Sequence, residues 1–423
     1  MSRCSLILQN LGVTRIITCV ILAPAARHVP MAASVAVIRF LLMQPDFLNN
    51  PPTAWPSPED EFLLKAALFQ GAAAQRALQE WEARVELDRV DFGAFRLLPL
   101  LHHNLKKNGI ASRDAERLAG IARRAWAENQ LILNRASRAL AELARLEFPV
   151  LLLKGVPLIV EVYRDTGLRT LGDVDILVHP ADAAAILEWL TKNGWRYKLG
   201  SLPADPLAST TSLNFISPEG LDLDLHWAIF FNRPEPQNDL PFWKAATPMN
   251  LNGVPALGPG WADLFFIACT QGFRWDPVLP LRWVADAYWM LTHPDREMDW
   301  GRLVWQARRL EQGLLMRTAL SYLKTSFELP VPRAVINQLQ RIRPGGYERL
   351  ERIVFLRRPL PLFGLSLVKY LTERRLPVYG GGGLLAYLRS LWGVRSNLQL
   401  LREALSRGLT QLRRAKGGRP TST

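Results

Sequence analysis

The chain is predicted to be an α+β protein, with strands gathered in its middle and helices on either side. Three observations carry that expectation. Between about residues 148 and 260, short apolar runs and one strictly alternating segment read as strands. From Pro58 to Glu147 apolar residues recur at three- and four-residue intervals, the spacing of a helix with one buried face. From Gly260 onward the helical spacing returns, broken by Pro277, Pro280, Pro330, Pro332 and the turn Pro344-Gly345-Gly346.

At 423 residues, 49% hydrophobic and 21% charged, the chain can bury a sizeable core and should divide into two or three subdomains. The expected divisions are an extension at 1–56, a helical region at 57–147, the strand-bearing core at 148–260, a second helical region at 261–378, and a glycine hinge with a basic helical tail at 379–423. Cys4, Cys19 and Cys269 are too few and too widely spaced for a disulfide framework or a zinc site, and fit a reducing compartment.

The first 42 residues carry Arg3, Arg15, Arg27 and Arg39 and no acid, around an apolar run from Ile16 to Ala26. That resembles a secretory signal in form, but the run is too short to span a bilayer. We read the working protein as starting near Met31 or Met43 and acting in the cytoplasm. Next, Ser57-Pro58-Glu59-Asp60 has the cap, first-turn proline and early acids of a helix start. A long helix is expected from Asp114 to Leu146. His102-His103 fall on a helical pattern about 100° apart, so they do not form a metal pair by themselves.

Phe148 to Leu153 is a continuous apolar run, read as a buried strand that ends in a tight turn at Lys154-Gly155. A helix should follow from Pro157, and the free N–H groups at its start suit an anion. The stretch from Leu171 to Val178 reads as a second strand whose two-residue period sets Asp173 and Asp175 on one face. Carboxylates held side by side repel, and a divalent cation neutralises them; magnesium, which favours oxygen ligands and phosphates, is the first choice. Such pairs also occur on solvated strand edges.

Leu221 to Trp227 alternates strictly, placing Asp222, Asp224 and His226 on one face of a further strand. If it lies beside the Asp-x-Asp strand, a third carboxylate joins the pair. His226 either orients a carboxylate and relays a proton or is a satisfied core residue. Arg282 and Asp286, four apart on a helical pattern, suit a local ion pair. At the far end, Gly380 to Gly383 reads as a hinge, and the stretch from Arg395 holds seven basic residues against Glu403. That tail is either a solvated basic helix or a contact for an anionic partner, part of a net charge of +14.

The ordered set Lys154-Gly155, Arg169, Asp173-Val174-Asp175 and Asp224-Leu225-His226-Trp227 resembles a family of bacterial nucleotidyltransferases, mostly uncharacterised, in the DNA polymerase β-like superfamily. Glu128-Asn129-Gln130 and Asn134 ahead of the core, and Leu281 to Asp286 beyond it, extend the likeness over about residues 60 to 330. The resemblance implies a polymerase-β-like mixed sheet flanked by helices. It implies Asp173, Asp175 and a later-strand acid as metal ligands and catalytic residues; position favours Asp224 over Asp222, which with His226 would support the site.

On this reading two magnesium ions, with manganese as the alternative, serve transfer of a nucleoside monophosphate from a nucleoside triphosphate such as ATP to a hydroxyl. Lys154, the Gly155 amide and Arg169 are the candidates for contact with the triphosphate, Arg169 having a surface ion pair as its alternative role. The acceptor is a small molecule, a sugar, a protein or an RNA. The rival function is a non-catalytic scaffold or binding module that keeps the fold, because the Lys-Gly turn departs from the Gly-Ser or Gly-Gly usual in the superfamily.

Overall fold

The computed structural model describes residues 56–198, 202, 205–230, 235–272, 281–345, 348, 396–399 and 402. The expectations for residues 1–55, Pro277, Pro280, Gly346, the glycine run and nearly all of the basic tail lie outside the described residues.

Helices precede the sheet: α1 (Pro58–Leu68), α2 (Gly71–Arg84), α3 (Leu98–Asn108) and α4 (Ala115–Arg145). The start of α1 is the one expected. Ser57 Oγ accepts the Asp60 N–H at 3.1 Å, and Asp60 Oδ2 accepts the Ser57 N–H at 3.0 Å, so each residue satisfies a donor the other leaves free. Helix α3 stops at Gly109, whose φ of 65° gives the left-handed cap that glycine adopts without strain.

Seven strands form one mixed sheet in the order β3-β4-β5-β2-β1-β7-β6. They are β1 (Leu151–Leu153), β2 (Val174–Leu177), β3 (Arg196–Tyr197), β4 (Ser212–Ile216), β5 (Asp222–His226), β6 (Thr247–Leu251) and β7 (Val254–Gly258). Antiparallel β1–β2 pairing joins parallel pairing of β2 with β5 and of β1 with β7. The fold is α+β, as predicted, and among the described residues the strands lie in the middle of the chain.

Two cores sandwich the middle of the sheet, which is why β1 and β2 are buried at every residue. On one face Leu152, Val174, Ile176, Leu223 and Leu225 meet Leu133, Ala136, Leu140 and Leu143 of α4 and Ile186 and Leu190 of α5 (Pro180–Lys192). On the other face Leu151, Leu153 and Leu177 join the helical core. That core includes Leu63, Leu98 and Leu101 before the sheet and Phe265, Val284 and Leu320 after it. Helices α6 (Trp261–Gly272), α7 (Arg282–Leu291), α8 (Trp300–Arg309), α9 (Gly313–Phe327) and α10 (Arg333–Gln340) supply the later part. Among the described residues no helix is long and apolar enough to cross a membrane.

Two consequences can be measured. A Cβ at Gly272 would lie 2.2 Å from Trp283 Cγ, inside a buried ring that has no room to retreat. Gly272→Ala should therefore destabilise by about 1–3 kcal/mol in urea titration, the overpacking cost outweighing the gain of about 1 kcal/mol in helix propensity.

Asp239 is buried, and it accepts the Ile229 N–H at 3.3 and 3.4 Å. Burial pushes its carboxyl up to about 7 against an ordinary 3.8, although the Ile229 N–H and Arg309 pull the other way. Between those values the folded chain holds a proton the unfolded chain has lost, so stability falls as pH rises through the window. Denaturation curves from pH 4 to 8 should show Asp239→Asn gaining on the parent as pH increases.

Candidate active site

The pairing of β2 with β5 sets Asp175 opposite Asp224 and Leu177 opposite His226. Residues opposite each other in a ladder share a face, so both carboxylates and the imidazole stand on the face away from Val174, Leu223 and Leu225. The β1–β2 register puts Leu153 opposite Asp175, and the next residue, Lys154, reaches the acids. Its ammonium contacts Asp175 Oδ1 and lies 3.4 Å from His226 Nε2 and 4.0 Å from Asp224 Oδ2. His226 Nε2 in turn lies 3.0 Å from both Asp175 Oδ1 and Asp224 Oδ2.

Lys154 reaches this position through a backbone that L residues avoid, φ 53° and ψ −109°. A non-glycine residue there carries about 1–3 kcal/mol of strain, which persists only where surrounding contacts hold it. Here they are the ladder of β1 and the contact with Asp175.

The electrostatics follow from the packing. Burial alone would raise the Asp175 carboxyl, but the Lys154 ammonium and the His226 ring hold it well below the usual range. Asp224 is likewise lowered by His226 and Lys154 against the effect of burial. His226 is raised: burial and Lys154 favour its neutral form, and the two carboxylates outweigh them. Asp173 precedes β2 and is exposed at the rim, where desolvation and the nearby Asp175 carboxylate push it up.

Asp175, Asp224 and His226 offer ligand atoms within 4.8 Å of one another and can hold a metal ion. The donor set fits a divalent cation: two carboxylates and an imidazole, with Asp224 Oδ1 buried and without a hydrogen-bond partner. The cluster thus contains His226, and Asp173 stands outside it. Asp222 is engaged by Lys198 at the sheet's outer side, and its Oδ1 is buried without a partner. His102 and His103 lie on α3; His102 lines an open groove of about 430 Å³ with Lys106, Arg123 and Trp126, apart from the acids.

After β1 the chain turns at Gly155 into the helical segment 155–163, wider than an α-helix over Leu158–Tyr163, and returns to β2 through residues 164–173. The helix therefore begins two residues before Pro157. Arg169 does not form a surface ion pair: it is buried, and its Nε and Nη2 donate to Asp286 Oδ1 and Oδ2 at 2.8 and 3.0 Å. Tyr163 Oη donates to the same Asp286 Oδ1 at 2.9 Å. The local Arg282–Asp286 pair expected from four-residue spacing is thus replaced by a pair between the loop and α7; Arg282 Nη1 donates instead to the Thr170 carbonyl at 2.5 Å. Arg169 Nη1 is aimed at Gly155, 3.2 Å from where a Cβ would stand.

Asn129 is the residue whose importance sequence reasoning understated. Buried on α4, it donates to the Thr166 and Arg169 carbonyls at 2.5 and 2.8 Å and accepts the Leu171 N–H at 2.9 Å. Three backbone groups of one loop are satisfied by one amide. Gln130 adds a bond to Thr166 Oγ1 at 2.8 Å. A polar pair on the inner side of an amphipathic helix was the available signal.

Asn129→Ala leaves those buried backbone groups without partners, at a cost of about 1–3 kcal/mol each before solvent enters. Thermal unfolding should show a loss of at least about 2 kcal/mol, and limited proteolysis should cut first within 164–172. A loss no larger than that of the half-buried Gln130→Ala would refute this role of Asn129.

Comparisons with known proteins bear on this geometry. No curated protein matches the chain. Among solved structures it is similar to an antigenic nucleotidyltransferase-like protein from Paracoccidioides brasiliensis, with 14% identity over 51% of this chain and 94% of that one, at a TM-score of 0.33. The profile of a family described as "Uncharacterised nucleotidyltransferase" matches residues 93–328, a span that runs from ahead of α3 through the sheet to the end of α9. The chain belongs to that nucleotidyltransferase family.

Proposed function

We propose that this protein moves a nucleoside monophosphate from a nucleoside triphosphate to a hydroxyl acceptor, at the face of β2 and β5. The observation that carries the reading is the register that brings Asp175 and Asp224 together, with Asp173 at the rim. Asp175 and Asp224, with His226 beside them and Asp173 joining from the rim, would hold the metal, two magnesium ions or manganese in their place, and a bound cation would supply charge neutralisation at the α-phosphate and acidify the acceptor hydroxyl.

The residues of the chain do the rest. In the transfer, the acceptor oxygen bonds to the α-phosphorus, the bond to the β-phosphate bridging oxygen breaks, and pyrophosphate departs with those electrons. Asp224, with one carboxylate oxygen free of hydrogen bonds, would take the hydroxyl proton or steer it to water. His226 would keep both carboxylates aligned. Lys154, held in a strained backbone beside the acids, would exchange its carboxylate contact for phosphate oxygens, with the Gly155 amide and Arg169 Nη1 beside it. The reaction belongs in the cytoplasm, and a small molecule, sugar, protein or RNA end remains the acceptor class.

A second reading rests on one contact. The Lys154 ammonium already neutralises Asp175, as a cation would, and this favours a binding module that keeps the fold without turnover.

Incubation of the purified chain with each radiolabelled nucleoside triphosphate and magnesium separates the two. The enzyme reading expects pyrophosphate release that drops at least about 100-fold in both Asp175→Asn and Asp224→Asn, while the unfolding midpoints stay within a few degrees. Folded parent protein that neither binds nor consumes any triphosphate would select the scaffold.

A further inference from the structure

Beside the acids lies a concentration of positive charge of which the reading above uses Arg169 alone. It surrounds residues 169–173, the last turn of chain before β2. Arg282 reaches in from α7 to the Thr170 carbonyl. Arg96, just ahead of α3, places Nη2 3.2 Å from where a Cβ of Gly172 would stand. Arg169 Nη1 points to Gly155 on the other side of the loop. Three guanidiniums thus converge on one short loop, and glycine at 155 and 172 provides the room for two of them.

The carboxylate nearest Arg282 along α7 is already engaged. Asp286, one turn along α7 from Arg282, has both oxygens taken by Arg169 and Tyr163. Among the described residues Arg282 forms no ion pair, and its described hydrogen bond goes to a neutral carbonyl. Burial first, and then the neighbouring Arg169 and Arg96, push the Arg282 guanidinium down to about 9, although Asp286 and Asp173 pull the other way. A half-buried arginine of this kind is costly to keep unless an anion comes to it.

We propose that Arg282, flanked by Arg96, is the cation that receives the β- and γ-phosphates of the nucleoside triphosphate and holds pyrophosphate as it leaves. The assignment rests on the nucleotidyltransferase reading and deepens it. Asp173 interacts with Arg282 and leads directly into the strand that carries Asp175, so a polyphosphate tail that extends from the acids past Asp173 meets the arginines. Arginine suits the task, because its planar fork donates two parallel hydrogen bonds to a phosphate and stays charged. Arg282 makes no covalent bond and transfers no proton; it stabilises the charge that collects on the departing β-phosphate oxygens. Arg169, neutralised by Asp286 through Nε and Nη2, holds the loop between Gly155 and α7 and leaves only Nη1 facing Gly155.

The test is binding of inorganic pyrophosphate, the four nucleoside triphosphates and the matching monophosphates to the full chain, by calorimetry at fixed magnesium. Arg282→Gln should weaken pyrophosphate and triphosphate binding by at least about tenfold, as loss of a charge-assisted contact predicts, and leave monophosphate binding within about twofold. Equal weakening of all three ligands, or none, would overturn the assignment and leave the nucleotidyltransferase reading intact. A parent chain that binds neither triphosphate nor pyrophosphate would overturn both. Should Arg282→Gln not fold, Arg282→Lys decides the matter, since it keeps the charge at Thr170 and loses the fork. Its pyrophosphate affinity should fall about threefold or more with monophosphate unmoved, and an unchanged affinity counts against the proposal.

Discussion

One constraint governs the site: β2 pairs in parallel with β5 so that Asp175 and Asp224 stand side by side. Neighbouring strands lie about 4.8 Å apart, and two carboxylates at that distance repel by roughly 3 kcal/mol at an effective dielectric of 20. Slipping the register by one residue would separate them, but it would also turn Leu223 and Leu225 out of a core they share with Val174 and Ile176. Apolar burial on one face therefore holds the acids together on the other. The repulsion is met by Lys154 and His226, and the strained backbone of Lys154 shows that the contact is maintained against a local preference.

The same constraint gives the connecting loop its role. Residues 164–173 join the helical segment to β2, and any play in them would move Asp173 and the start of the strand. They are held from two directions. Asn129 ties three backbone groups to α4, and Arg169 ties the loop to Asp286 on α7, where Tyr163 also docks. Removing one partner of a buried pair like Arg169–Asp286 typically costs about 3–5 kcal/mol. The pair joins the sheet to the helices that follow it. A second one, Arg302 with Asp263 at 2.8 Å, fastens α8 to α6 within those helices.

Much of this was legible in the sequence. The alternation of Leu221 to Trp227 identified β5 and its polar face, and the Leu151–Leu153 run identified a strand buried on both sides. The Ser57 cap was visible for the same reason: strictly local patterns encode strictly local structure. What escaped depends on partners distant in sequence. Spacing alone pairs Arg282 with Asp286, since it cannot see that a loop more than a hundred residues earlier supplies Arg169. His226 looks like an alternating residue until β2 is set beside it, and only then does it complete a ligand cluster. The β6–β7 hairpin was hidden by Pro248 and Pro255, although its Asn252-Gly253 turn, with both residues at positive φ, is a strong local signal.

The charge layout adds a last step. The triphosphate of the proposed reaction is an anion, and a bare acidic centre would turn it away. The chain sets opposite charges side by side, acids on β2 and β5 and, around residues 169–172, the guanidiniums of Arg96, Arg169 and Arg282. The two sets interact: Asp173 stabilises the charged forms of both Arg169 and Arg282, and it is itself raised by desolvation and then by the other acids. Asp173 thus stands where the two fields meet. Its exposure at the rim, outside the tight Asp175–Asp224–His226 cluster, then has a physical reason, because a carboxylate at that boundary is shared between arginines and any cation the acids hold. A net charge of +14 spread over the chain could not produce this polarity; it comes from the strand register that gathers the acids and from the side chains that α7 and the loop direct to residues 169–172.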